Sequence, residues 1–597
     1  MRALLLVCVA GLISLTSPGT AAEPKVLRYA FRAAETGFDP SQLSDIYSRC
    51  VTSHIFESLY TYDHLARPAE IVPLIADGLP EVSADFKTYT VKLKHGIYFA
   101  DDAAFKGQKR ELTAQDFIYS IKRFADPALK SPGWTSFDDA GLVGLAALRS
   151  AAIKNKTPFN YNTPVEGLRA LDRYTLQFKT DIARPRLVQQ VLAGNDLYGA
   201  LAHEVVAHYG DKIAEHPVGT GPFVLKSWRR SSQIVLERNP NYRERIYDAR
   251  PAADDAEGQA VLARFKGRRL PMVDRVEVSI TEEAQPRWLS FLAGEQDFVE
   301  QVPEDFINQA LPGGKLAPNL VKRGMQAFQV QRADVTLTVF NMEDPLIGGY
   351  TPAKVALRRA ISLALDTPGE IRLVRRGQAV PAQSQLAPNT IGFDATFKSE
   401  MSDFDPARAS ALLDMFGYVD RDGDGWRELP NGQPLILVRN TQSDSQYRQL
   451  DELWQKNLSA VGLKLALKVA QWPENLKLAR SGRFMMWPVG STATRPDGQE
   501  ALQRFYGPAA GGQNLARFHS AAFDKIYEQM QGMADGPERE ALFLQAKRIG
   551  ISYMPYKNHV HRIVTDMAQR GLIGYRRPVF WQDWWQFVDI DTEATAR

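Results

Sequence analysis

The segment HPVGTGPFVLKSW, residues His216 to Trp228, is the most specific stretch of the chain. Its Gly219-Thr220-Gly221 core is followed by Pro222, so it does not open a phosphate-cradling helix as nucleotide-binding loops do. No Walker loop, dinucleotide fingerprint or Gly-x-Ser-x-Gly turn occurs elsewhere. The absence of a complete catalytic constellation favours a binding protein. Working outward, Leu27 to Phe31 reads as a short strand, and Tyr89, Val91 and Leu93 alternate with polar residues at strand period. Thr113-Ala-Gln-Asp116 is a capping-box pattern ahead of a helix. Val276, Val278 and Ile280 alternate as a strand, and Thr351-Pro352 caps the helical run AKVALRRAISLAL. Tyr447, Leu450, Trp454, Leu458 and Val461 step as a helix, and Leu463 to Val469 alternate as a strand. Helices and strands mixed in this way, without a strict βαβ rhythm, predict a multi-domain α/β architecture. Asp248 to Pro271, polar and rich in Ala, Gly and Pro, reads as a surface insertion between two strands.

The 597 residues suggest about four domain-sized units. With 24% charged and 44% apolar residues, the composition is that of a globular chain. Lys plus Arg is 72 against 69 Asp plus Glu, which gives no polyanion-binding field and argues against nucleic acid. Arg2, the apolar run Ala3 to Leu15 and the small-residue exit Ser17 to Ala22 read as a signal peptide spanning 1–22. The run is shorter than the ~20 residues of a membrane span. Its removal takes away Cys8 and leaves Cys50 alone, so no internal disulfide can form and Cys50 reads as a buried structural residue.

Three motifs tempt toward metal chemistry. His203-Glu-Val-Val-Ala-His208 resembles a zinc-protease helix, but the histidines are five apart and about 140° apart around the axis. Asp420-Arg-Asp-Gly-Asp424-Gly425 starts like a calcium loop, yet position 12 is Asn431 and an Asp/Gly turn accounts for it. His559 and His561 have no Cys or carboxylate near them in sequence. The expectation is therefore no metal, no cofactor and no catalytic residue.

Five segments in order resemble the extracytoplasmic solute-binding proteins of peptide-type ABC transporters, family 5. They are Phe38-Asp39-Pro40 with IFESLYTYD (55–63), Pro73 to Asp77 with TYTVKLKHGIYF and LTAQDF, HPVGTGPFVLKSW with Asn239-Pro-Asn-Tyr242, Val339-Phe-Asn341 with VALRRAISLALD, and the Asp/Gly turn. The resemblance implies a two-lobed periplasmic-binding-protein-like fold of three subdomains with a two-strand hinge. Residues 24–69, 200–333 and 556–597 would form the first subdomain, 70–199 the second, and 334–555 the distal lobe. It implies a monomer, exported to the periplasm, that closes over a peptide or modified peptide and presents it to an inner-membrane ABC permease complex. Non-peptide guests (an opine-like compound, haem, a metal complex) and a secreted metal-dependent hydrolase are the alternatives.

The resemblance also implies a site. Glu35 and Thr36 fall in the loop where relatives meet the ligand backbone, and Arg480 lies near an Arg that meets a ligand carboxylate. Where peptide binders carry Gly-Trp-x-Ala-Asp, this chain reads Gly490-Ser491-Thr492-Ala493-Thr494, followed by Arg495. Thr494 replaces the amine-binding Asp, and a hydroxyl cannot give an ammonium the charge-assisted bond of a carboxylate. Arg480 with Arg495 points to a ligand with an anionic group.

Overall fold

A computed structural model describes residues 23–595 except 44, 195, 444, 581 and 582, so the expected signal peptide 1–22 lies outside the described residues. Three sheets organise the chain. An eight-stranded sheet runs in the order Gln326–Gln331, Val560–Ala568, Phe298–Val299, Val26–Phe31, Arg275–Ile280, Gln233–Arg238 and Phe223–Arg229, with Ala379–Pro381 also on Val560–Ala568. Its centre is parallel and its flanks antiparallel. A four-stranded antiparallel sheet contains Glu81–Val82, Thr88–Lys92, Thr175–Lys179 and Leu168–Asp172. A five-stranded mixed sheet contains Lys464–Val469, Ile436–Thr441, Met486–Thr492, Asp334–Phe340 and Tyr556–Asn558.

The chain enters the five-stranded sheet between Gln331 and Asp334 and leaves it between Asn558 and Val560. These two crossings are tied together by Asp334. Its carboxylate is fully buried, accepts from the Arg562 backbone N–H at 3.1 Å and Nε at 2.8 Å, and sits 3.3 Å from Arg332 Nε. On either side the hydrophobic cores are separate. One gathers Leu27, Ile55, Val91, Phe117, Phe178, Val276 and Trp585 across the first two sheets. Two others, around Trp487, Phe505 and Phe543 and around Leu357, Ile361 and Trp454, draw only on the distal segment. Lobes with separate cores and two covalent links can move as bodies. The expected α/β, two-lobed fold with a two-strand hinge is present.

The motifs explain themselves at the junctions. A Cβ on Gly219 would lie 2.0 Å from the Ile55 carbonyl oxygen, and one on Gly221 2.7 Å from that of His54. No side chain fits there, and the close approach lets Gly221 N–H donate to Ile55 at 2.8 Å. Glu57 then accepts from Thr220 Oγ1, Tyr242 and Arg243, the last at 2.6 and 3.0 Å. Asp39 and Arg123, both buried, form a two-pronged pair at 2.7 and 2.9 Å that ties the chain near its start to helix Ala114–Ala125. Thr113 donates from N–H and Oγ1 to Asp116 at 2.8 and 2.9 Å, so the capping box opens helix Ala114–Ala125.

One reading needs correction. Asp248 to Pro271 is not a plain polar insertion. It contains helix Ala256–Phe265, capped by Asp255, whose Phe265 packs with Tyr247, Leu270, Leu65 and Phe587 into a small core. The alternation over Leu463 to Val469 marks a strand, as expected, and it lies at the sheet edge, where Leu467 and Val469 face solvent. Cys50 is buried, as expected.

Candidate functional site

Strand Met486–Thr492 pairs antiparallel with Asp334–Phe340, and the segment beyond Pro488 runs past three cavities in succession. Gly490 lines a cavity of about 80 Å³ inside the distal lobe with Arg439, Trp454 and His559. Thr492 and Asn389 form the distal wall of a cavity of about 1060 Å³, faced from the first lobe and the crossings by Ile46, Arg332, Tyr575 and Phe580. Arg495, Glu500 and Tyr527 face Asp138, Asp139 and Gln189 across a polar chamber of about 310 Å³. Cavities walled by both lobes are where a guest would be enclosed.

The expected residues separate into two groups. Gly490, Ser491, Thr494 and Arg495 lie along this path. Ser491 Oγ accepts from Arg504 at 2.9 and 3.1 Å. Thr494 is exposed and donates to Glu500 at 3.1 Å, which Arg495 Nε also approaches at 3.3 Å. Burial works against the Arg495 charge, yet Glu500 holds its pKa above the ordinary value. Glu35 and Thr36 instead make their hydrogen bonds within the first lobe. Glu35 is 4% exposed and accepts from Trp228 Nε1 at 2.6 Å and Ser231 N–H at 2.8 Å. Thr36 donates to Asp45 at 2.5 Å. Arg480 is exposed at the end of helix Trp472–Arg480 and does not line the chamber with Arg495, so the two do not form the joint anion site their sequence suggested.

The sequence did not reveal Arg186. Its guanidinium, in the first lobe, is buried against the distal one. Nε lies 2.7 Å from Asp497, Nη1 donates to Met533 O at 2.7 Å, and Nη2 donates to Met530 O at 2.8 Å, Gln531 O at 2.9 Å and Gln499 Oε1 at 3.2 Å. Asp497 also accepts from Arg539 at 2.9 and 3.0 Å. Asp497 is therefore a lobe-bridging carboxylate. Arginine alone presents enough donors in one plane to meet a carboxylate and a run of carbonyls together.

The metal-like motifs resolve into local structure. Glu204 pairs with Arg110 at 2.9 Å, and His203 packs on Tyr119. His559 does have a carboxylate partner, Glu370 at 3.3 Å, which its sequence neighbours did not disclose. In the turn, Asp420 accepts from Gly423 and Gly425 N–H at 2.7 and 2.9 Å, and Glu428 accepts from Arg421 N–H at 2.8 Å. The carboxylates of Asp420, Asp422, Asp424 and Glu428 lie within 4.8 Å of one another. Among the described residues no helix is long and apolar enough to cross a membrane.

Known proteins resemble this chain in sequence and in fold. The di/tripeptide-binding protein 2 of Pseudomonas aeruginosa is 25% identical over 574 residues, covering 93% of each chain. The heme-binding protein A of Haemophilus influenzae is 24% identical over 574 residues, covering 94% of this chain and 92% of its own. The solved periplasmic binding protein DppA from Helicobacter pylori, in complex with the peptide STSA, shares the fold with a TM-score of 0.68 at 21% identity, over 95% of this chain and 98% of that one. The family described as bacterial extracellular solute-binding proteins, family 5 Middle, matches residues 70–513. With that match across most of its length, the chain belongs to the bacterial extracellular solute-binding proteins of family 5.

Proposed function

We propose that this protein is the substrate-binding component of an ABC importer. Exported through residues 1–22, it works in the periplasm, captures a peptide or modified peptide between its lobes and presents it to the inner-membrane permease complex. The observation that carries this reading is the cavity of about 1060 Å³ with walls from both lobes beside the two crossings. That volume is at the upper end of small-molecule sites and leaves room for bridging waters around varied side chains. We take residues 24–69, 200–333 and 556–597, then 70–199, then 334–555 as the three subdomains, with the outgoing boundary moved to Asn558 because Tyr556–Asn558 pairs in the distal sheet. The guest-facing residues are Gly490, Ser491, Thr494 and Arg495 with Thr492. We leave Glu35, Thr36 and Arg480 outside this set, a choice supported by the bonds of Glu35 and Thr36 within the first lobe and by the exposure of Arg480.

A non-peptide guest such as haem is the second reading, favoured by the heme-binding relative and by Arg67, Arg332, Arg576 and Arg577 around the larger cavity. Native mass spectrometry of the protein purified from a periplasmic extract separates the two. A bound peptide mass supports the first reading, a haem mass the second, and protein with no bound solute in any preparation contradicts both.

A further inference from the structure

We infer that Asp334 is a positioning residue for guest capture: it staples the two crossings so that the lobes close along one path, and through the same contacts it sets the guest-facing strand. This rests on the proposed binding function and names how closure reaches the guest site. Asp334 opens strand Asp334–Phe340 and pairs with Thr492, which lines the larger interlobe cavity. One residue earlier, Ala333 O accepts from Ala493 N–H at 2.8 Å. The end of the guest-facing strand is therefore held by the incoming crossing. The outgoing crossing reaches the same strand through Arg562. Its Nη2 lies 2.7 Å from the Asp334 carboxylate and 4.0 Å from where a Cβ on Gly490 would stand. Arg332 lines the larger cavity and Arg562 the small one in the distal lobe. Asp334 is the carboxylate that both arginines share.

The staple is built to resist sliding. Arg562 meets the carboxylate from its backbone N–H, Nε and Nη2 together, and Arg332 N–H donates to Arg562 O at 2.8 Å. His561 Nδ1 lies 2.7 Å from Asp334 O. Crossings joined at neighbouring residues cannot twist past each other without breaking several of these bonds. Bending both together need break none, which is hinge motion rather than shear. The buried carboxylate has no water to replace its donors, so breaking the link is costly. The charges point the same way. Burial, and then Arg562, pull the Arg332 pKa down to about 10, so one carboxylate holds two crowded guanidiniums together. Without its charge the two cations repel across the crossings. The nearest first-lobe cation, Arg577, has its own carboxylates, Asp566 and Glu300, at 2.7 and 2.8 Å. The effect of removing Asp334 is thereby confined to the crossings and the strand they hold.

The test uses the full mature chain with spin labels in two pairs across the lobes, one reporting bending about the crossings and one reporting twist. Asp334→Asn keeps the shape and one acceptor but loses the charge. Arg562→Gln severs the same link while leaving Arg332 to balance Asp334, and it carries the test if Asp334→Asn does not fold. Thermal unfolding checks folding, and calorimetry reads affinity for a tripeptide pool. In the wild type the twist distance should stay narrow with and without guest. In either variant it should widen in both states, and affinity should fall by about tenfold to a hundredfold, the range of one lost charge-assisted contact. A merely structural role would lower the unfolding temperature and leave the distances in folded molecules unchanged. The double variant should lose no more than the worse single one, and additive losses would overturn the staple. Where the wild type binds the pool, a change in twist or in affinity without the other, or neither, overturns the inference and leaves the peptide reading standing. A widened twist where the wild type binds no peptide keeps the staple and removes the peptide reading. An unchanged twist there overturns both.

Discussion

Replacing Arg186 by alanine should unlatch the lobes. The side chain makes six contacts across the interface, two to the carboxylates of Asp497 and Asp535 and four to oxygens of Met530, Gln531, Met533 and Gln499. Charge-assisted bonds are worth about 1.5–3 kcal/mol each, and desolvating a guanidinium offsets a large part of the sum. Crediting two bonds at the lower value leaves about 3 kcal/mol favouring closure, or roughly 150-fold in the open–closed equilibrium. Asp497 keeps Arg539 at 2.9 Å, so the variant leaves no uncompensated buried charge and should fold. Apparent affinity scales with the competent fraction, so guest binding should weaken by up to the same factor although Arg186 need not touch the guest. Dyes placed on the two lobes report closure by energy transfer, and calorimetry reports affinity. Arg186→Lys, which keeps the charge but loses the planar fork, should fall between. A lobe distance and an affinity both within twofold of the wild type for Arg186→Ala would refute the latch.

Glu35→Ala removes the acceptor for Trp228 and Ser231 and should destabilise the first lobe by about 2 kcal/mol while leaving guest affinity of the folded protein unchanged, measured by chemical unfolding and calorimetry; a large affinity loss at unchanged stability would return Glu35 to the ligand site. Lys557 is fully buried, its ammonium has no hydrogen-bond partner among the described residues, and burial lowers its pKa to about 7, against the opposing fields of Glu370 and Asp403 and beside His559 and Arg439. The unfolded chain then binds more protons than the folded one from about pH 7 up to the ordinary lysine value, so this residue makes stability rise with pH across that window. Lys557→Met should raise the unfolding temperature by a few degrees at pH 6 and by less at pH 9; a gain that grows with pH would show the sign to be wrong. Thr494→Asp places a carboxylate beside the chamber and should tighten binding of guests with a free amine by about tenfold, and no change by calorimetry would mean residue 494 does not face the guest.

The fold was legible because its junctions need particular residues. Gly219 and Gly221 allow one backbone to touch another, Glu57 gathers Thr220, Tyr242 and Arg243, and Asn341 donates to the carbonyls of Gly482 and Phe484 at 3.0 and 2.9 Å. These contacts leave recognisable motifs. The same property misled the site reading: Glu35 sits in a motif-bearing loop because it fastens Trp228, the end of HPVGTGPFVLKSW. The chamber and the latch had no such signature. Arg186 meets partners more than 300 residues away, and Asp138 and Asp139 are two ordinary acidic residues of helix Trp134–Ala140 until the distal lobe faces them. Sequence periodicity reports which face is buried, not which lobe will cover it.

The central claim is that the two lobes enclose a small guest and leave it chemically intact. Its most direct test is to incubate the mature protein with a defined peptide pool, isolate the complex and analyse the released guest by mass spectrometry. The account predicts one equivalent of unaltered peptide per chain, with the interlobe distance shortened on binding. A guest returned cleaved or modified, or bound with no change between the lobes, would contradict it.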